Sequence, residues 1–281
     1  MGVPVVGTIH HPITMDKRID IKHAETLSLK LLKWRWYSFL KMQIKVARKL
    51  DPIIVVSENT RKDVVKDFKI DPKKTRKVLH GIDHKTFEPI PSIERKKNQL
   101  ITTASADVPL KGLIYLIRAY SELLNEFPDL SLVVIGKLRD GPTSNELDKK
   151  DIKNKVKFIS DLTSREIAEL YAESTIAISP SVYEGFGFPA GEAMSCGIPL
   201  ISTNGGSLPE VVGNSGIIVP HSNPNELRKA IKELLLSPEK RKELGEKGRK
   251  RVLEKFTWKR AAKELVEVYR EAISNADNRS R

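Results

Sequence analysis

From residue 99 onward, short apolar runs rich in β-branched residues alternate with amphipathic stretches, and few folds can absorb that pattern. Runs at 99–104, 131–136, 155–159, 175–179, 198–202 and 216–219 have the length and composition of strands. Between them, Leu113 to Glu126 is amphipathic. Thr163-Ser164-Arg165-Glu166 has the spacing of a capping box and opens a helix to Ala172. Asn223 to Leu236, Pro238 to Lys255 and Thr257 to about Ile273 complete the helices. Strands that alternate with helices predict a parallel, doubly wound sheet with right-handed crossovers. Ligands of such sheets bind at the carboxyl ends of the strands, where the strand order reverses.

The first third is organised differently. Val3 to Ile9 reads as a buried strand, Ala24 to Leu50 as helix with one break, and Asp51-Pro52 as its stop. Ile53 to Val56 is the next strand, Ser57 caps a helix to about Phe68, and Arg76 to Leu79 is a third short strand. Three strands are too few for a doubly wound domain. The stretch Phe87 to Asn98, with Pro89, Pro91 and the charged run Glu94 to Lys97, reads as a linker.

Charge separates the same two regions. The chain of 281 residues carries a net charge of +13, and residues 1–97 hold nearly all of the excess. Such asymmetry points to an acidic partner: a membrane surface, an anionic substrate or nucleic acid. Between residues 22 and 50, eight Lys and Arg residues stand against the single acid Glu25, with Trp34, Trp36, Tyr37, Phe39 and Leu40 among them. A basic stretch with interfacial aromatics reads as a membrane-surface element, or else as a helix whose Trp side chains pack inside. No recognised nucleic-acid module is present, so nucleic acid is not the expected partner. The amino terminus lacks the charged and apolar regions of a secretory signal, and no run of 18 apolar residues occurs. The single Cys196 suits a reducing compartment and a buried, small apolar role. The expected location is therefore cytoplasmic, peripheral at the inner face of the membrane. The abundance of Lys and Glu leans toward a heat-adapted source.

Residues 183 to 194 read Tyr-Glu-Gly-Phe-Gly-Phe-Pro-Ala-Gly-Glu-Ala-Met. Glu184 lies in a glycine-bearing turn just after a strand, and Glu192 lies in the first turns of a helix that starts at Pro189. The turn lets backbone N–H groups approach a ligand closely. The helix start favours an anion such as phosphate, and the two carboxylates can accept hydrogen bonds from sugar hydroxyls. A second strand-to-helix loop runs from Ser105 to Leu113 and carries Lys111 at a helix start. The helix dipole disfavours a cation there unless an anion answers it.

The string 183–194 resembles the paired-glutamate motif of the retaining, family 4 glycosyltransferases of GT-B fold. The resemblance runs from Thr8 to Trp258 and is strongest over 176–219. It implies two Rossmann-like domains of α/β type. Residues 1–90 would be a partial, acceptor-side domain, with roughly 100 residues of it lying before Met1 by ordinary domain size. Residues 91–257 would bind the nucleotide sugar, and 258–281 would form a helix crossing back to the first domain. Phe256-Thr257-Trp258 is similar to a late segment of the family at that crossing.

On this resemblance the donor site comprises Lys111, Glu184, Gly185, Phe186, Gly187 and Glu192. Lys111 would neutralise the diphosphate, and Glu192 would hydrogen-bond the ribose. Glu184 and the backbone of residues 185–187 would contact the donor sugar and phosphates. The family's usual Arg in the first loop is Ala106 here, which removes one of two positive charges. Gly205 to Glu210 resembles a family loop ending in a Pro-Glu pair, and reads equally well as a glycine turn with a helix cap. His10, or alternatively His11, would face the donor sugar and orient it. No Asp-x-Asp pair occurs, so no metal and no cofactor are expected beyond the nucleotide sugar as co-substrate. The function implied is metal-independent glycosyl transfer with retention of configuration, to an acceptor sugar or lipid-linked glycan. The alternatives are a truncated or partner-dependent chain that binds nucleotide sugar without turnover, and a nucleotide-sugar epimerase of the same architecture.

Overall fold

A computed structural model describes residues 3–104 and 108–279. Ala106 lies outside the described residues. The chain divides into two compact units, residues 1–81 with 258–281, and residues 82–257.

The first unit is built on three parallel strands, β1 (Gly7–Ile9), β2 (Ile53–Val55) and β3 (Thr75–Lys77), in that spatial order. Gly7 is in register with Ile53, and Ile53 with Thr75. The helices are α1 (Ile13–Lys22), α2 (Leu27–Trp36), α3 (Leu40–Ala47) and α4 (Glu58–Phe68). Alternation along β2 sends Ile53 and Val55 to one face of the sheet and Ile54 to the other. The first pair packs with Ala47, Val64, Phe68 and Ile70. Ile54 packs with Val78 and with Val268 of the carboxy-terminal helix Trp258–Arg279. That helix is also tied to β3 by the ion pair of Arg76 with Glu271.

Ser57 caps α4 as expected, its Oγ accepting from the Thr60 N–H at 3.0 Å. The helix expected over Ala24 to Leu50 is broken once, by a 3₁₀ turn at Tyr37–Phe39 between α2 and α3. Two expectations fail here. The first strand is only Gly7–Ile9, with Val3 and Val5 exposed, because pairing with β2 begins at Gly7 and leaves residues 3–6 without a ladder partner. Helix α1 was not foreseen, since Pro12 starts it without a side-chain cap and its apolar period is weak.

The second unit holds six parallel strands: β4 (Gln99–Thr103), β5 (Ser131–Ile135), β6 (Val156–Ile159), β7 (Ile176–Ser179), β8 (Leu200–Thr203) and β9 (Ile217–Val219). Their spatial order is β6-β5-β4-β7-β8-β9, the doubly wound order of a Rossmann sheet. The order reverses between β4 and β7, which pair through Leu100 with Ile176 and Ile101 with Ala177. The helices are α5 (Leu113–Leu123), α6 (Pro142–Lys149), α7 (Ser164–Glu173), α8 (Phe188–Ser195), α9 (Leu208–Val212), α10 (Pro224–Leu236) and α11 (Pro238–Lys255).

Helix α5 presents Leu113, Leu116, Ile117, Tyr120 and Leu123 to a core shared with β4, β5, β7 and α10. Burying one such aliphatic side chain stabilises the fold by roughly 1.5–3 kcal/mol. The Tyr120 hydroxyl reaches the Leu130 carbonyl at 2.8 Å, so its polar tip is satisfied in the core. The capping box at Thr163 and Glu166 forms as the spacing predicts. Helix α6 follows Gly141-Pro142, a turn signal, and was not foreseen, whereas the five-residue α9 begins where Gly205 to Glu210 reads as a glycine turn with a helix cap.

Candidate functional site

The crevice where the strand order reverses is walled by the loops that leave β4, β7 and β8. The three loops interlock through main-chain bonds. Val182 N donates to the Leu110 carbonyl at 2.8 Å, which ties the loop after β7 to the loop after β4. Ser207 N donates to the Glu184 carbonyl at 3.0 Å, and Ser207 Oγ donates to the Phe186 carbonyl at 2.8 Å. The Gly205 to Glu210 segment thus braces the turn that carries Glu184.

Two glycines make this closeness possible. Gly112 has φ +63°, and a Cβ there would lie 2.1 Å from the Pro180 carbonyl oxygen. Gly206 has φ +60°, and a Cβ there would lie 2.3 Å from the Glu184 carbonyl oxygen. Both combine a left-handed backbone with contact to another main chain, which no L side chain tolerates.

Lys111 and Glu184 meet in this crevice. Lys111 Nζ donates to Glu184 Oε1 at 2.7 Å, and Ser181 Oγ donates to the same oxygen at 2.8 Å. The cation that the helix start disfavours is therefore answered by Glu184 within the chain, a partner not foreseen from the sequence. A carboxylate with two donors already in place is held in one orientation.

Glu192 is placed one turn into α8 and belongs to neither of these bonds. Burial pushes its carboxyl up to about 7. The carboxylate itself makes no hydrogen bond or ion pair with the described residues. Its charge is felt by Tyr171, whose hydroxyl is raised by burial first and by Glu192 second. The Tyr171 hydroxyl bridges Thr103 Oγ1 at the end of β4 and the Pro189 carbonyl in the first turn of α8. An acid kept half-protonated near neutrality, with open hydrogen-bonding capacity, can accept from or donate to a bound hydroxyl.

Gly187 opens α8 with φ +97° and without a side-chain cap. Gly185 is buried. The Phe186 ring is buried edge-on against Phe188 and Phe256, with centroids at 5.2 and 5.8 Å, so its side chain serves the core.

His10 lies in the amino-terminal unit, just past β1. Its ring stacks on His80 with centroids 5.0 Å apart, and His10 Nδ1 lies 3.0 Å from His80 Nε2. His80 also tilts against Trp258 at 6.1 Å. Burial, and then the neighbouring His10, lower the His80 imidazole to about 4, so it is neutral near pH 7. His11 is engaged with Asp16. His80 and Ser181 were missed by sequence reasoning. The dipeptide His80-Gly81 reads as a plain turn, and only the fold brings it to β1.

A chain that holds a doubly wound sheet with a lysine–glutamate pair at its switch point, and a separate unit of three parallel strands, has the elements of GT-B nucleotide-sugar proteins. Sequence and fold comparisons make the class specific. Residues 85–251 match the family model described as glycosyl transferases group 1, and residues 1–86 match glycosyltransferase family 4. The chain belongs to the glycosyl transferases group 1 family. It is 39% identical, over 98% of its length, to the MMP alpha-(1->4)-mannosyltransferase of Mycolicibacterium hassiacum, and covers 67% of that protein. It is 29% identical to a D-inositol 3-phosphate glycosyltransferase of Streptomyces bingchenggensis, over 79% of this chain and 53% of the relative. The chain thus spans about two-thirds of the length of the first relative and about half of the second. Among solved structures, a sucrose-phosphate synthase from Thermosynechococcus elongatus aligns with a TM-score of 0.76 at 22% identity, covering 96% of this chain and 68% of the other. HepE from Anabaena, solved with UDP and glucose, aligns with a TM-score of 0.76 at 18% identity, covering 94% and 70%.

Proposed function

We propose that this chain transfers a glycosyl group from a nucleotide-sugar donor to a sugar-bearing acceptor, with retention of configuration and without a metal. The observation that carries the reading is the meeting of Lys111 and Glu184 at the reversal of strand order, with a half-buried Glu192 in the helix that follows, its hydrogen-bonding capacity unused. The mannosyltransferase relative and the neighbour solved with UDP and glucose support a sugar nucleotide as the donor.

Departure of a nucleoside diphosphate needs fixed positive charge and N–H dipoles at the leaving oxygens. In this reading Lys111 swings its ammonium from Glu184 to share it with the diphosphate. The Ser181 hydroxyl then keeps Glu184 in place to accept from the sugar. The amide groups of residues 185–187 line the turn before α8 and face the phosphates. Glu192, ionised on binding, accepts from the ribose hydroxyls. His10, stacked on a neutral His80, orients the sugar rather than taking a proton.

Calorimetry with UDP and uridine tests these roles. Lys111→Ala should weaken UDP about tenfold or more and uridine far less, as expected of a lost phosphate contact. Equal losses for both would remove Lys111 from the diphosphate. Glu192→Ala should weaken both, and unchanged binding would remove Glu192 from the ribose.

A peripheral position on an anionic membrane belongs to the same reading. Among the described residues no helix is long and apolar enough to cross a membrane. Helix α2 buries none of its residues, and Trp34 and Trp36 are exposed among Lys30, Lys33 and Arg35. Each such cation contributes about 1 kcal/mol near anionic lipid. Failure to co-sediment with phosphatidylglycerol vesicles at low salt would exclude it.

A further inference from the structure

The unit 82–257 has a second concave surface, at the opposite end of its sheet from the crevice. It is a groove of about 700 Å³ between the segment leading into β4, Gly197 in the link from α8 to β8, and helix α11. Arg95 and Gly197 both precede their strands, so the groove lies at the amino ends. Pro89, Pro238 and Leu253 supply apolar wall.

The charge of this groove is not balanced. Arg95, Arg241 and Arg249 line it together with Lys242 and Lys250, five cations against the two carboxylates Glu246 and Glu254. The three guanidinium groups are held by neutral carbonyls. Arg95 Nη2 donates to the Gly197 carbonyl at 3.1 Å, and Arg241 Nη1 to the Leu235 carbonyl at 2.8 Å. Arg249 Nη1 donates to the Phe87 carbonyl at 2.9 Å and the Ser195 carbonyl at 2.8 Å. None of the three forms an ion pair with a described carboxylate. Of the two carboxylates, Glu254 lies 3.9 Å from Lys250, which leaves the three arginines without a carboxylate partner. Arg95 is exposed as a whole residue, yet its head group is crowded enough that burial, and then the like charge of Arg241, lower its guanidinium below the ordinary value. Carbonyls fix the direction of a guanidinium without cancelling its charge. The remaining N–H groups of each planar fork stay available to a second acceptor.

We propose that this groove binds an organic phosphate, separately from the donor crevice. The phosphate sits among Arg95, Arg241 and Lys242, and the organic body lies against Pro89, Pro238 and Leu253. The volume falls in the range of small-molecule sites, and the combination of an apolar wall with a few convergent charges is what such sites require. Cations fixed by main-chain carbonyls are already oriented, so little ordering cost remains on binding. Arg249 and Gly197 also meet the carboxyl end of α8, the helix that bears Glu192.

The experiment is calorimetric titration of the full chain with phenyl phosphate, inorganic phosphate and phenol. Saturable binding is expected for phenyl phosphate, weaker binding for phosphate and none for phenol. The double variant Arg95→Gln/Lys242→Gln should lose about tenfold in phenyl phosphate affinity, the equivalent of two weak charge contacts. Saturating UDP should leave that affinity unchanged, because UDP belongs to the opposite end of the sheet. Binding that survives the double variant, displacement by UDP, or no binding of phenyl phosphate would each overturn the proposal. Lys242 is exposed and its ammonium makes no hydrogen bond or ion pair with a described residue, so Lys242→Gln alone gives a folded variant in which a smaller loss must still appear.

Discussion

Helix α5 in the larger unit and helix α2 in the smaller one are both rich in Leu, yet they meet opposite fates. Helix α5 buries Leu113, Leu116, Ile117, Ala119, Tyr120 and Leu123, whereas α2 leaves Leu27, Leu31, Leu32, Trp34 and Trp36 largely in solvent. The six-stranded sheet has helices on both faces, so each crossover helix finds a wall to cover. The three-stranded sheet is filled on one face by α3 and α4 and on the other by the carboxy-terminal helix. Helix α2 is left outside both. Apolar content alone therefore does not place a helix in a core; the area of sheet available to it does.

The largest effect that would sharpen this contrast belongs to Gly206→Val. The added Cβ meets the Glu184 main chain, and the left-handed backbone adds strain, so a loss of about 3–5 kcal/mol is expected for the larger unit. Urea denaturation that gives an unchanged midpoint would show the interlocked loops to be looser than described.

Glu192→Gln comes next, and its effect depends on pH. Burial raises the carboxyl to about 7 in the folded protein against 4.5 for the free group. The folded state therefore binds a proton that the unfolded state has released. The associated stability is whole below pH 4.5 and is lost as pH rises through 7. At pH 8 the ionised, half-buried Glu192 costs roughly 3 kcal/mol. The Gln variant should be more stable than the parent at pH 8 and flatter across this window. Parallel stability curves for parent and variant would show that the carboxyl is well solvated.

Trp36→Ser should have the smallest effect, within about 0.5 kcal/mol, since the ring is 73% exposed. Leu116→Ala, at a fully buried position, should cost about 2–5 kcal/mol. Similar costs for the two would erase the difference between α2 and α5.

Legibility followed the range of the interaction. The strand runs, the Ser57 cap and the Thr163 capping box depend on neighbours within a few residues, and the structure reproduces them to within one or two positions. Helix α1 and the shortness of β1 depend on what the rest of the chain offers for pairing, and they were misread. In the crevice, the residue types and the strand-to-helix setting of Lys111 and Glu184 were visible beforehand. Their mutual bond was not, because 73 residues separate them and only the reversal of strand order joins their loops.

Periodicity and turn chemistry by themselves determined that this chain builds parallel strands crossed by helices, with two acids near one strand tip. Tertiary structure alone decided that Glu184 answers Lys111, that Glu192 is half-buried without a side-chain partner, that His80 stacks on His10, and that five cations outnumber two acids in a groove at the far end of the sheet. The physical reason is the reach of the forces involved. Backbone preference and apolar patterning act over a turn or a strand, whereas desolvation and charge pairing depend on whichever segments the completed fold sets side by side.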